Sequence, residues 1–463
     1  MQQQQHQQDR EDAFGAVVAR LAEEHGVPGA SVGILNGGRT SFVNHGVTSL
    51  DHPRPVDEHT VFHLASISKT FTATVLLHLV EEGKVELDAP VRRYVPELVL
   101  ADEGAAARIT VLNLLNQTAG LDWNLVDPEG EDGSLAAFVA QLDRLPLVSE
   151  PGVRASYSQA GYNLAGRIVE NVTGLTFEQA VAATVLEPLG LTDTVFDADD
   201  IMVRPFATGH VHGEDGRPRA ARPWKAFRAG TRGNNPGGGV ASTTADVLAW
   251  ARFHLGDGDG VLRTDTLHGM REETAPLRGS TLGDGFGLGW FRRPVDGVRT
   301  IGHGGSGNGQ YAELHLAPER DFAVVALANS EEGYLFNQAV VRAAFEHFLG
   351  LVEKDPEPVP YDESRAREVA GRYEIDAMNL DIATDGVRLT LAVEIKPEIR
   401  QASDADMPPD IAPAAVGFLP GDGDEYTLTG GTLAGQRGFF TRDTAGRVTG
   451  VDLGGRLFSR TTG

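Results

Sequence analysis

The sequence predicts a mixed α/β (α+β) fold in two parts: helices interleaved with antiparallel strands over residues 13–352, then an all-β antiparallel domain over residues 367–463. Three observations predict it. The chain has 463 residues and 41% hydrophobic content, enough to bury a large core in more than one domain. In the first part, apolar residues recur at helical spacing in some stretches and alternate at strand spacing in others. A stretch rich in proline and acid, Glu353 to Asp362 (EKDPEPVPYD), then separates these from short apolar runs punctuated by turn residues, so residues 353–366 are expected to be a linker.

Residues 1–12, MQQQQHQQDRED, are expected to be a disordered tail. They show no basic segment followed by an apolar core, so a secretory signal is not expected and the reading is cytoplasmic. Phe14 to Glu24 carries a helical pattern that His25-Gly26-Val27-Pro28-Gly29 stops. Ala30 to Leu35 and Thr40 to Asn44 read as strands joined at Asn36-Gly37-Gly38, a strong hairpin signal. Within Phe62 to Glu81 (FHLASISKTFTATVLLHLVE), the apolar run Phe71, Val75, Leu76, Leu79 and Val80 lies at helical spacing and reads as a buried helix that starts near Ser66. Another apolar helix begins in Ile109 to Leu115, and Trp123 to Gly133 is a polar loop that suits a cleft rim. Pro151 to Asn163 is a loop with serines and tyrosines, followed by a helix through Leu164, Ile168 and Val169. Asn234 to Val240 is a glycine-rich loop able to approach a ligand, and Thr243 or Thr244 can cap the helix Asp246 to His254. Strands follow at Tyr311 to Leu316 and Phe322 to Leu327. Beyond the linker, short runs at 371–375, 380–383, 387–393, 415–419, 425–428, 437–441, 447–452 and 456–460 have the spacing of an antiparallel barrel or sandwich.

The composition excludes several classes of function. A formal charge of −25 argues against nucleic acid and against anionic membranes as partners, and no stretch of apolar residues is long enough to span a bilayer. There is no cysteine, and the 14 histidines include no HExxH or comparable pair, so no metal and no cofactor are expected.

Chemistry concentrates at Ser66-Ile67-Ser68-Lys69. Residues three apart on a helix share a face, which brings the Lys69 amine within reach of the Ser66 hydroxyl. A serine becomes a nucleophile when a neighbour takes its proton, and a desolvated lysine can do this. The chain has 40 basic residues, yet lysine occurs only at positions 69, 84, 225, 354 and 396. Arginine cannot serve as the base, so a lysine kept here is informative. Taken singly, Tyr157 would be a packing tyrosine and His303 a structural histidine. In Thr300 to Gly309 (TIGHGGSGNG), glycines beside a strand edge leave N–H groups free for a substrate or an oxyanion.

Together, Ser66/Lys69, Tyr157 and His303-Gly304-Gly305 resemble, in order and separation, the serine β-lactamase and penicillin-binding-protein family, in particular its class C and D-aminopeptidase or esterase branch. LLNQTAGL (114–121), SYSQAGYNLAGRIVE (156–170), LEPLGLTDT (186–194), PGGGVASTTADVLAW (236–250) and FGLGW (286–290) carry the same likeness over about residues 13–350. The resemblance implies a β-lactamase/DD-peptidase-like antiparallel sheet flanked by helices, an all-helical subdomain and a C-terminal lipocalin-like barrel. It makes Ser66 the acylated nucleophile, Lys69 its base, Tyr157 the proton relay and His303 the residue that orients the tyrosine or a substrate carboxylate. The backbone N–H groups of Ser66 and Ser306 would form the oxyanion hole, and Gln159, Gly304, Gly305 and Asn235 would meet the substrate.

There are two departures from the family pattern. Gln159 stands for the asparagine of Tyr-x-Asn, and Gln117 for the histidine before Thr-Ser-Gly. Histidine in place of the Lys-Thr-Gly lysine is commoner in esterases and peptidases, which points away from penicillin hydrolysis. The resemblance thus implies cleavage of an amide or ester, either a small molecule or a short peptide with a D-residue, through a Ser66 acyl-enzyme. Capture of the acyl group by an amine, cyclising or transferring a carrier-bound peptide, is the rival reading. A non-catalytic acylation sensor is a third. The barrel is expected to cap the cleft and select substrate, not to hold a ligand of its own.

Overall fold

The first of the chain's two units (residues 1–85, 169–271 and 294–353) is built on an antiparallel sheet. Its strands are ordered Arg39–Gly46, Gly29–Asn36, Phe322–Ala328, Gln310–Ala317, Ile301–Gly307. The computed structural model describes residues 2–125, 133–222, 232–403 and 406–461, with side chains from residue 8 onward. The loop expected at Trp123 to Gly133 therefore lies, for residues 126–132, outside the described residues.

The first hairpin turns as its sequence requires, with Gly37 and Gly38 both at positive φ (56° and 77°). Phe322–Ala328 (FAVVALA) is apolar and buried along its whole length, as a central strand covered on both faces must be. One face is covered by the helix Gly333–Ala344, with Phe14, Val18, Leu21 and Ala22 of the N-terminal helix in the same core. Against the other lies Thr244–Leu255, capped by Thr243, whose hydroxyl accepts from Asp246 N–H. Gly33 permits this closeness, since a Cβ there would meet Leu248 at 2.9 Å.

Residues 2–12 are helical, within Gln2–Glu24, and not the disordered tail expected. The buried turn from Phe14 onward supplies a nucleus, and the glutamines before it extend it at little cost. A short 3-10 turn, Ala65–Ile67, precedes the helix Ser68–Glu81, so Ser66 sits just ahead of the α-helix. That helix is buried almost all round, which is why it lacks a polar face. Trp250 stacks on Phe71 at 4.1 Å and donates to the Thr70 hydroxyl at 3.0 Å.

The second unit comprises residues 86–168, 272–293 and 354–463. It holds short capped helices (Glu103–Arg108, Val111–Leu115, Leu135–Val139), the start of the helix Gln159–Thr173, and the strands Ala275–Ser280, Gly283–Phe286 and Phe291–Arg292. It also contains the closed antiparallel barrel of strands 371–374, 378–384, 389–395, 411–418, 425–428, 437–442, 448–453 and 456–460. These coincide with the expected runs to within a few residues. The barrel interior is filled by Tyr373, Leu380, Leu391, Phe418, Tyr426, Phe440 and Phe458.

Two boundaries differ from expectation. The helix Glu363–Val369, capped by Asp362, occupies part of the expected linker because Ala366 and Val369 reach the barrel core. The barrel also shares one compact unit with residues 86–168 and 272–293 and does not stand as a domain apart. Main-chain bonds tie it there: Tyr157 N–H donates to Gly455 O at 2.7 Å, and Asp376 N–H donates to the Asp122 carboxylate at 2.8 Å.

Candidate active site

In the first unit the 3-10 turn and the start of the helix place Lys69 Nζ 3.1 Å from Ser66 Oγ. Lys69 is fully buried, and its amine also donates to the carbonyl of Gly237 at 2.8 Å. Backbone geometry at the turn is unusual, with Ala65 at φ 45°, a conformation that costs a non-glycine residue energy and must be enforced by its surroundings. The Ser68 hydroxyl enforces it in part, donating to Ala65 O at 2.5 Å and accepting from Val240 N–H at 2.9 Å.

The strand Ile301–Gly307 runs directly against this turn. A Cβ on Gly305 would fall 2.0 Å from Leu64 O and 2.9 Å from the Ser66 nitrogen, so only glycine lets the two backbones approach. At Gly304 a Cβ would strike the Glu313 carboxylate at 2.7 Å. Ser306 follows on the same strand, paired with Tyr311. His303 is buried, with Nδ1 2.7 Å from Gly304 O. Burial, reinforced by the charge of Lys69, pushes its pKa down to about 3, so the imidazole is neutral at ordinary pH.

Asn235 takes a different place from the one expected. Residues 234–240 do not form an open loop: the 3-10 turn Arg232–Asn234 leads into a short helix, Asn235–Gly238. Asn235 is buried, and its amide donates to Glu178 Oε1 at 2.7 Å. The residue opens the short helix whose Gly237 carbonyl accepts from Lys69.

Tyr157 and Gln159 belong to the second unit. Tyr157 is buried, its ring centroid 5.9 Å from that of Phe291. The Arg456 guanidinium lies 5.4 Å from the Tyr157 ring centroid and 5.1 Å from that of Trp123. Gln159 opens the helix Gln159–Thr173, its N–H donating to Trp123 O at 2.7 Å. Gln117, at φ 64°, grips both sides of Tyr157: its carbonyl accepts from Ser156 N–H and its side-chain oxygen from Ser158 N–H, each at 2.8 Å.

Sequence reasoning missed Arg456 and Glu178, and had Trp123 only as the first residue of a loop at a cleft rim. The signal for Arg456 was the Gly454-Gly455 pair, both at positive φ, which marks a hairpin turn but not what the turn touches. A cavity of about 610 Å³ in the second unit, lined in part by Leu112, Asn116, Arg154, Leu277 and Phe440, includes none of the candidate site residues. Among the described residues, no group of three or more acidic, histidine or cysteine side chains is placed to hold a metal ion, and no helix is long and apolar enough to cross a membrane.

A family model described as Beta-lactamase matches residues 14–346. Penicillin-binding protein 4 of Amycolatopsis lactamdurans is 32% identical over 384 residues, covering 80% of this chain and 97% of that protein. Protein flp of Staphylococcus aureus (strain COL) is 23% identical over 340 residues, covering 71% of this chain and 64% of that one. Among solved structures, SurE superposes with a TM-score of 0.75 at 26% identity, covering 98% of this chain and all (100%) of that one. It has also been solved with D-Leu, giving a TM-score of 0.73. The octameric penicillin-binding protein homologue from Pyrococcus abyssi, at 21% identity and a TM-score of 0.67 over 96% of each chain, shares the fold. The matched span runs from the N-terminal helix to just past the helix Gly333–Ala344 and carries the Ser-x-x-Lys turn and the glycine-rich strand beside it, and by that span the chain belongs to the β-lactamase and penicillin-binding-protein family.

Proposed function

We propose that this chain is a serine acyl-transferring hydrolase that opens an amide or ester by forming an acyl-enzyme on Ser66. The observation that carries the reading is the 3.1 Å approach of Lys69 Nζ to Ser66 Oγ, with the lysine fully buried. In this reading the neutral Lys69 amine takes the Ser66 proton as Oγ attacks the carbonyl carbon, and the N–H groups of Ser66 and Ser306 receive the oxyanion. Each such donor is worth about 3–4 kcal/mol. The Tyr157 phenol protonates the leaving group and later activates the attacking water. His303, being neutral, can accept or donate a hydrogen bond but brings no positive charge to a substrate carboxylate. That favours amides and esters over donors that must be held by a terminal carboxylate at His303.

The solution of SurE with D-Leu supports a substrate with a D-residue. The same acyl-enzyme would serve if an amine displaced water, so that the product is a transferred or cyclised peptide. The filled barrel interior argues against a ligand held inside that domain. The test is turnover of a panel of D-amino-acid amides, small esters and a penicillin, with and without an added amine, by wild type and Ser66→Ala. The expected result is release from at least one amide or ester that disappears in the variant, by on the order of 10⁴-fold or more. Full turnover by Ser66→Ala would overturn the proposal, and a stable adduct that never turns over would favour an acylation sensor.

A further inference from the structure

A neutral amine can take a proton only if its lone pair faces the donor, so its own hydrogens must be held elsewhere. For Lys69, the holder is the carbonyl of Gly237, 2.8 Å from Nζ. That carbonyl sits in Asn235–Gly238, a single turn too short to keep its own shape. Side chains hold it from two sides. Facing the Lys69 helix, the Thr72 hydroxyl donates to Pro236 O at 2.6 Å and His63 Nε2 lies 2.8 Å from Gly238 O. On the other side, Glu178 accepts from Asn235 Nδ2 at 2.7 Å and from both Nε and Nη2 of Arg232, at 3.0 and 2.7 Å. The backbone folds tightly over this anchor, since a Cβ on Gly239 would fall 2.1 Å from Asn235 Oδ1.

Glu178 is itself fixed. It lies on Phe177–Val181, whose start is closed by a capping box between Thr176 and Gln179 and whose Phe177 is buried. Its side chain is 15% exposed. Burial works against the carboxylate, yet Arg232 and then Asn235 outweigh it and hold the group below the usual carboxylate range. Arg232 is also faced by Glu170 at 3.5 Å and by the charge of Asp197.

We propose that Glu178 is a positioning residue for the Lys69 base: by clamping Arg232, which opens the 3-10 turn, and Asn235, which opens the helix Asn235–Gly238 after it, Glu178 sets the Gly237 carbonyl that orients the amine toward Ser66. This rests on the reading of Lys69 as the base of Ser66. Glu178 touches neither residue and takes no proton in the reaction. Its removal frees the turn, and loss of both the carboxylate charge and the aligned carbonyl dipole favours the neutral amine, so the basic form of Lys69 would appear at lower pH but point less often at Oγ.

The test is the second-order rate of Ser66 modification by a fluorophosphonate, followed by intact mass from pH 5 to 10, for wild type, Glu178→Gln, Glu178→Ala and Arg232→Gln. Thermal melts report the folded fraction. The expected result is a rate lower by roughly 10- to 100-fold in Glu178→Ala, less in the others, with the midpoint of the pH–rate curve moved to lower pH in the two Glu178 variants and not in Arg232→Gln, which removes a positive charge. A purely structural role would lower the melting temperature or the labelled fraction while leaving the rate and midpoint of the folded molecules at wild-type values, and that result overturns the proposal. Should Glu178→Ala fail to fold, Glu178→Gln decides it by the same criteria, and Arg232→Gln, which keeps the Glu178–Asn235 bond, by the rate of the folded molecules alone. An unlabelled wild type overturns the Lys69 reading and this inference together. Labelled wild type with unshifted variants overturns this inference alone.

Discussion

His303 shows how one buried side chain narrows the chemistry. Its pKa, pushed down from 6.5 to about 3 mainly by burial, means that folding disfavours the imidazolium. The stabilising effect of keeping it neutral is complete above pH 6.5 and is lost as pH falls from there toward 3. Replacing it with glutamine is therefore expected to flatten the loss of stability between pH 6.5 and 3, measurable as melting temperature against pH. Gly305 matters for space. Gly305→Ala would drive a methyl group into Leu64 O and against the Ser66 nitrogen. Fluorophosphonate labelling is expected to slow by roughly 10²-fold or more, the effect of losing one oxyanion donor. Labelling at the wild-type rate would show that the strand does not form that hole. The pair Ser66 and Lys69 was legible because their spacing of three residues lies within one helical turn. Glu178 was not, because its link to Lys69 runs through Asn235 and a carbonyl far away in the sequence.

At the scale of elements, the barrel turn Leu453-Gly454-Gly455-Arg456 is the piece that sequence reading could not place. Its strands were visible as apolar runs, and its glycines as a turn, but the contact of Arg456 with Tyr157 and Trp123 is a tertiary fact. Arg456→Gln is expected to lower the melting temperature, because it removes the guanidinium packed on both rings. An unchanged melting temperature would deny that this contact holds the turn. Asp452, on the strand leading into the same turn, is buried, with only the Gly455 backbone N–H and the Arg456 charge acting to favour its carboxylate. Burial raises its pKa from 3.8 to about 8, so the fold favours the neutral acid. This favourable effect is full below pH 3.8 and is lost as pH rises through about 8. Asp452→Asn is expected to gain melting temperature over wild type at pH 8 and little at pH 4. Equal gains at both would deny that the acid is held neutral.

For the whole molecule, the first hairpin, the strands at 311–316 and 322–327 and the eight barrel runs could be read from periodicity and turn residues, because each is specified locally, whereas the antiparallel sheet came from the family resemblance. The grouping into units could not. The barrel joins residues 86–168 and 272–293 through main-chain and side-chain contacts between distant segments, which no linear pattern records. Cutting the chain after Glu353 removes the partners of Tyr157 N–H, Ser156 and Asp122. The truncated protein is expected to lose both stability and activity, and a fully active truncated form would contradict a role for the barrel at the site. The central claim is an activated Ser66, and intact-mass measurement after treatment with a fluorophosphonate tests it most directly. A single adduct on wild type and none on Ser66→Ala is the predicted result; an adduct on both, or turnover of an acyl substrate without any modification of Ser66, would contradict it.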